Sequence, residues 1–396
     1  MNASSSAGLA ILGASPAFKA PIPVGQLNFP PWEDVESSFR DIFSRQYYTN
    51  QGPLTEELES RLEDFLNVKH AIVMTNATIG LIVAAKALGL RGKVICPAFT
   101  FAATAQSLAW AGLKPLFCDV DPNTHQMSAA LVAELINDDV SAILGVHLWG
   151  NSCNPAALER LAREHKVHLY FDAAHAFGCS FSGIMAGNFG ELEVFSFHAT
   201  KILNATEGGC VCTNDNALAA KIRNIRSSYG AGKLIDIPLT GNGRMSEAQA
   251  AMALLSLKNY PQIKQRNEAN FRLYEELVAD IAGIQLIQPN ENSISNYQYI
   301  VLEVSEKEFG LSRDLLLDVL RAENIQARKY FSPGLHRTVP FCNDLSENQH
   351  TLKVTDQLCS KVLQLPSGQG ITEESITKIC EIIMLAKSKA HELLQL

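Results

Sequence analysis

The amino-acid sequence predicts an α/β protein: a large domain with a mainly parallel mixed sheet flanked by helices, followed by a smaller α+β C-terminal domain. Three observations carry that prediction. Short apolar runs alternate with helical patterns from His70 onward, as in a sheet covered by helices on both faces. After residue 245 the pattern changes to long helical stretches separated by few strand-like runs. The chain has 396 residues, 47% apolar and 19% charged, which is enough for two lobes of ordinary globular composition. The expected division is an arm over 1–25, a large domain over 26–255 and a small domain over 256–396.

Residues 1–30 are small, Ser/Ala-rich and then Pro-rich, and read as an irregular arm. Trp32–Arg45 reads as a helix, and Thr55 as the N-cap of a second helix reaching Leu66. HAIVMT is a strand, TIGLIVAAKALGL a helix stopped by Gly89, KVICPA a strand, and TAQSLAWAGL a helix. KPLFCDVD and SAILGVHLWG are strands flanking a helix over 129–135. Pro155 takes the first helical position behind Asn154, and that helix feeds the strand VHLYFD, which makes His165 and His168 a helix end running into a strand. SEAQAAMALLSL opens on a capping box, Ser246 and Gln249, and starts a helical stretch over 246–279. YQYIVLEV and IQARKYF are strand-like, with a helix over 313–323 behind Ser312 between them. The chain ends on a long amphipathic helix, ITEESITKICEIIMLAKSKAHELL. No internal repeat is present.

Composition narrows the function. A net charge of −8 argues against broad nucleic-acid or anionic-membrane surfaces. The nine cysteines include no C-x-x-C pair and lie mostly in apolar runs, so they read as reduced core residues rather than zinc ligands. The N-terminus lacks the basic start of a signal peptide, and no apolar run is long enough to span a bilayer. A cytoplasmic enzyme without metal is the expectation.

Four segments fall where α/β sheets bind ligands, at strand ends that feed helices. TNATIG, 75–80, presents small residues at a helix start, either an anion cradle or a plain cap. In PAFTFAAT, Phe99 and Phe101 either stack on a flat ring or pack in the core. Asp172 ends an apolar strand, where its charge needs a positive partner such as a protonated pyridine nitrogen, or caps a helix; His175 follows three residues on. Lys201 stands between two apolar strands, 29 residues after Asp172, and a desolvated lysine is a good nucleophile toward an aldehyde. Lysine, carboxylate, aromatic and anion site together match the needs of pyridoxal phosphate.

These segments resemble the sugar aminotransferases of the DegT/StrS family, within the fold type I (aspartate aminotransferase-like) pyridoxal phosphate enzymes. The resemblance runs from Ile22 through GPLTEELE, TNATIGL, VICPAFTFAATA, PLFCDVD, FDAAHAFG, SFHATKILNATEGG, GNGRMSEAQAA and RKYFSPGLHR. It implies that Lys201 forms the imine with the cofactor, Asp172 pairs with the ring nitrogen and Phe101 stacks on the ring. Ser196 and the backbone amides of Ala77 and Thr78 bind the phosphate, and His175 lies near the phenolic oxygen. Asn242 reaches the cofactor of a neighbouring subunit, which implies a homodimer with shared active sites. The family's frequent Asn-Tyr-Arg is Asn242-Gly243-Arg244 here, which removes an aromatic near the substrate. Retention of the lysine favours transamination over dehydration. The Asn-Gly form and RKYFSPGLHR look most similar to members that aminate C4 of dTDP-4-keto-6-deoxyglucose with glutamate as donor. Arg244, Arg328, Lys329, Tyr330, His336 and Arg337 would then meet the nucleotide sugar. Amination of another keto sugar or an inosose, amination at C3, a lysine-retaining dehydratase and a non-catalytic relative are the alternatives.

Overall fold

The predicted apolar runs become strands buried along most of their length: His70–Met74 (β1), Lys93–Pro97 (β2), Lys114–Cys118 (β3, an edge strand, exposed at Lys114), Val140–Val146 (β4) and His168–Asp172 (β5). Burial on both faces selects such continuous apolar sequence. A small ribbon, Ser180–Phe181 (β6) with Ile184–Met185 (β7), precedes Glu193–Ser196 (β8) and Gly209–Thr213 (β9). The main sheet has the order β1-β9-β8-β5-β4-β2-β3. Strand β9 is antiparallel to both its neighbours, and the other pairs are parallel. The structure is a computed structural model and describes residues 8–26, 28–231, 235–343 and 352–396.

Helices cover both faces of this sheet. Pro53–Leu66 and Pro155–His165 pack their apolar stripes on one side, whereas Ala77–Ala87, Ala102–Trp110 and Asn216–Arg226 pack on the other. Gly80 lets the helix Ala77–Ala87 lie close to the sheet, since a Cβ there would sit 2.9 Å from Val194 Cγ1. Asn154 caps the helix behind Pro155 through Ala157 N–H, as the sequence predicted.

Thr55 is not an N-cap. The helix starts two residues earlier behind Gly52, because Pro53 is preorganised for the first turn. The Thr55 hydroxyl instead donates to Gly52 O at 2.6 Å. Glu247 supplies the missing acceptor for that turn: its buried carboxylate accepts from Leu54 N–H and Thr55 N–H, both at 3.0 Å. One side chain therefore fastens GPLTEELE to GNGRMSEAQAA. The predicted capping box of Ser246 and Gln249 forms, but the stretch after it divides into Glu247–Lys258 and Tyr260–Val278. Pro261 cannot donate into a continuous helix, so the break falls at Asn259.

In the C-terminal part, Ile284–Leu286 (β10), Ile300–Val304 (β12) and Val362–Leu365 (β13) form an antiparallel sheet, while Ser293–Ile294 (β11) pairs with β6. Helices Arg313–Ala322, with Ser312 as cap, and Glu373–Ser388 cover it. IQARKYF is not a strand: it touches β13 through one bridge, Arg328 with Gln364, before Pro333 and Gly334 turn the chain away. Leu9 is fully buried in the core of this part, and Glu323 accepts from Ala10 N–H and Ala17 N–H, both at 2.7 Å. Among the described residues no helix is long and apolar enough to cross a membrane.

Replacing Glu247 by alanine strips the buried Thr55 amide and the half-buried Leu54 amide of their acceptor. Equilibrium urea unfolding of Glu247→Ala is expected to show a loss of about 2–4 kcal/mol; a loss within error of zero contradicts the fastening role.

Candidate active site

The C-terminal ends of β1, β5 and β8, with the turn after β2, surround a cleft of about 460 Å³. Its far wall comes from the other domain, through Tyr299 on the approach to β12 and through Arg328, Tyr330 and Phe331. An apolar cluster of Phe99, Trp149, Tyr299, Val301 and Phe331 joins the two domains beneath it.

At one end of the cleft, Asn76 caps the helix Ala77–Ala87 by accepting from Ile79 N–H at 2.9 Å. That leaves the amides of Ala77 and Thr78 as first-turn donors without intrahelical acceptors. Gly209 keeps this corner open, because a Cβ there would stand 2.7 Å from Ala77 N. Ser196, half-buried at the end of β8, lines the same cleft. Two amides at a helix start plus a hydroxyl suit a phosphate.

Asp172 ends β5 and is 5% exposed. Its Oδ2 accepts from the Thr104 hydroxyl at 2.7 Å and its Oδ1 from Ala174 N–H at 3.1 Å. Burial raises its pKa above the ordinary carboxyl value, against the pull of Thr104, Ala174 and the Lys201 ammonium.

Lys201 sits in the arch between β8 and β9. The arch is closed by Phe197 N–H to Gly208 O (2.9 Å) and Ala205 N–H to Phe197 O (2.8 Å), with Ile202 and Leu203 buried as anchors. Lys201 Nζ donates to the Tyr299 hydroxyl at 2.9 Å. Burial lowers its pKa to about 8, opposed by the charge on Asp172.

His175 lies under Tyr299, ring centroids 4.2 Å apart, and beside Trp149. Trp149 N–H donates to His175 Nδ1 at 3.3 Å, so the neutral ring carries its proton on Nε2. Burial and the nearby Lys201 hold that ring neutral, its pKa well below the usual value. The two phenylalanines of PAFTFAAT divide their roles: Phe99 is 1% exposed in the core, whereas Phe101 is 54% exposed and lines the cleft.

The cleft thus brings together Ala77, Thr78, Phe101, Asp172, His175, Ser196 and Lys201, with Arg328 and Tyr330 opposite. Arg328 donates to the Tyr330 hydroxyl at 2.9 Å. The other sequence candidates lie outside its lining. Asn242 is exposed and Arg244 half-buried. Lys329 pairs with Asp314 at 3.2 Å, while His336 and Arg337 share Asp356 at 3.0 and 2.6 Å. Thr104, Trp149 and Tyr299 went unrecognised in the sequence. Thr104 belongs to a segment already singled out, but its contact with Asp172 needs the sheet; Tyr299 and Trp149 carry no local signal.

The donor set fits pyridoxal 5'-phosphate: a carboxylate for the ring nitrogen, an aromatic face for the ring, a lysine for the aldehyde and amides with a hydroxyl for the phosphate. Among the described residues no group of His, Cys, Asp and Glu is arranged to hold a metal.

Comparison with known proteins agrees with this chemistry. The DegT/DnrJ/EryC1/StrS aminotransferase family profile matches residues 33–384. A dTDP-4-amino-4,6-dideoxy-D-glucose transaminase of Shigella dysenteriae is 35% identical over 364 residues, 92% of this chain and 98% of that protein. A transaminase of the same description from Escherichia coli is 30% identical, again covering 92% and 98%. The crystal structure of DesI in the presence of its TDP-sugar product superposes with a TM-score of 0.92 at 39% identity, covering 98% of both chains.

Only an uncharged amine attacks an aldehyde. The rate at which apoprotein captures pyridoxal phosphate in a borohydride-trappable link at Lys201 is therefore expected to rise with pH through a half-maximum at about 8 and to level off at higher pH. Peptide mass spectrometry after trapping reads this out; a rate independent of pH contradicts the lowered pKa.

Proposed function

The chain belongs to the DegT/DnrJ/EryC1/StrS aminotransferase family and is a pyridoxal-phosphate-dependent aminotransferase, and from that premise we propose that it transfers the amino group of glutamate to C4 of dTDP-4-keto-6-deoxy-D-glucose, giving dTDP-4-amino-4,6-dideoxy-D-glucose. The observation that carries this reading is a desolvated lysine and a desolvated aspartate facing one cleft, in a chain 35% identical to a relative so described.

Bound in the cleft, pyridoxal phosphate supplies an electrophilic carbon for amines and a ring that draws electrons from the bond being broken. The chain's own residues do the rest. Asp172 holds a proton on the ring nitrogen, and Thr104 and Ala174 fix that carboxylate. Phe101 stacks on the ring, His175 offers Nε2–H toward the phenolic oxygen, and Ala77, Thr78 and Ser196 grip the phosphate. The uncharged form of Lys201 Nζ, made accessible by a pKa lowered to about 8, would take the proton from the donor's α-carbon and return it two atoms along, across the nitrogen. Tyr299 holds that Nζ through its hydroxyl. Arg328 and Tyr330 stand where an acceptor's sugar or diphosphate would enter. Lys329, His336 and Arg337 would bind it only by exchanging Asp314 and Asp356 for substrate.

The active unit in this reading is a homodimer with shared sites. Exposed Phe43 and Tyr48, their rings 5.6 Å apart, and exposed Trp32 at the start of the same helix as Phe43 offer apolar contacts to a second copy, and exposed Asn242 would serve the partner's phosphate, with Arg244 beside it. All nine cysteines are free, which agrees with a reducing compartment and supports the cytoplasm.

Product analysis with glutamate and a panel of nucleotide keto sugars tests the activity: the 4-amino product is expected, and amination at C3 or dehydration overturns the substrate assignment. Lys201→Ala and Lys201→Arg are each expected to cut turnover by about 10³-fold or more. Mixing Lys201→Ala chains with Asn242→Ala chains, each poorly active alone, is expected to restore about a quarter of normal activity, since half the dimers carry one intact site. No restoration contradicts the shared site.

A further inference from the structure

We propose that Thr104 is a positioning residue for the reaction: oriented by Thr100, its hydroxyl keeps Asp172 an aligned anion against the cofactor's ring nitrogen. This rests on the reading that Asp172 pairs with that nitrogen.

The hydrogen-bond direction is fixed by chemistry. An ionised carboxylate only accepts, so the Thr104 hydroxyl proton is committed to Asp172 Oδ2, 2.7 Å away. Thr104 Oγ1 lies 3.1 Å from Thr100 Oγ1 and can then only accept in that contact, which makes Thr100 the donor. Both threonines and Asp172 are buried, so water offers no substitute for either bond. A carboxylate so enclosed tends to take up a proton, and a protonated Asp172 could not pair with a protonated ring nitrogen. Ala174 N–H serves the other oxygen at 3.1 Å; without Thr104 the carboxylate would keep one donor and be free to turn about its χ2.

The placement is also economical. Thr104 lies one turn after Phe101, and its N–H donates to Phe101 O at 3.1 Å. The same first turn of the helix Ala102–Trp110 therefore directs an aromatic ring into the cleft and a hydroxyl onto the carboxylate at its floor. A threonine that merely filled space there would have no need of an aligned acceptor.

The test compares two ligands on apoprotein: pyridoxal phosphate and its carbocyclic analogue with CH in place of the ring nitrogen. Affinity for each is measured by calorimetry across pH. Losing a hydrogen bond to a charged group shifts the protonation balance toward the acid, so in Thr104→Val the acid limb of pyridoxal phosphate affinity is expected to move up by about one to two pH units. Binding of the analogue should change little, and Thr104→Ser should restore the limb. A structural defect would weaken both ligands alike. An unmoved limb in folded Thr104→Val, or an equal loss for both ligands, overturns the proposal. Should Thr104→Val fail to give a cooperative melt, Thr100→Val removes the incoming donor instead: a smaller upward shift supports the relay, and an unmoved limb overturns it. Asp172→Asn separates the two levels of the argument. If the unaltered protein already binds both ligands equally, and Asp172→Asn changes nothing, the ring-nitrogen reading itself falls and takes the relay with it.

Discussion

Taking one ammonium and one carboxylate out of water into the same cleft is the constraint on which this structure turns. Neither Lys201 nor Asp172 could remain charged alone at that depth. Their pKa values move toward each other, the lysine down and the aspartate up, each restrained by the other's charge. A group that titrates near neutrality is what a proton-carrying lysine requires, and burial supplies it without a special residue. The rest of the site keeps both groups dry yet accessible to a ligand with a cationic nitrogen and an aldehyde.

The sheet does this by ending its strands in a row. Strand β1 feeds the amides of Ala77 and Thr78, β5 ends in Asp172 and β8 ends in Ser196, so anion site, carboxylate and lysine arch face one opening. Close packing sets the spacing. Gly80 lets its helix settle on Val194, and Gly209 leaves room beside the helix start. A methyl group at either position would crowd a neighbour, Val194 beside Gly80 and the Ala77 backbone beside Gly209.

The second domain is more than a cover. Tyr299 reaches across to Lys201 and packs at a tilt against His175, and Trp149 fixes the tautomer of that histidine while packing on Phe331. The apolar joint between the domains is therefore continuous with the residues that orient Lys201. A change in domain packing would be felt at Nζ through one hydroxyl.

Sequence alone determined the alternation of strands and helices, the capping box of Ser246 and Gln249, and the placement of Lys201, Asp172 and TNATIG at strand ends, because each is written within a few consecutive positions. Hydrophobic period, cap chemistry and strand-end placement are local properties. It missed where local signals compete: Thr55 looked like a cap until Pro53 claimed the first turn, Pro261 divided one predicted helix into two, and IQARKYF had strand composition but only isolated bridges, Ile325 with Ile22 and Arg328 with Gln364. Tertiary structure decided the rest. Which of Phe99 and Phe101 enters the cleft, that Thr104 meets Asp172 across 68 residues, and that Tyr299 meets Lys201 across 98, depend on contacts between distant segments. Such pairings are chosen by the packing of the whole sheet and by the joint between domains, and no short window of sequence contains them.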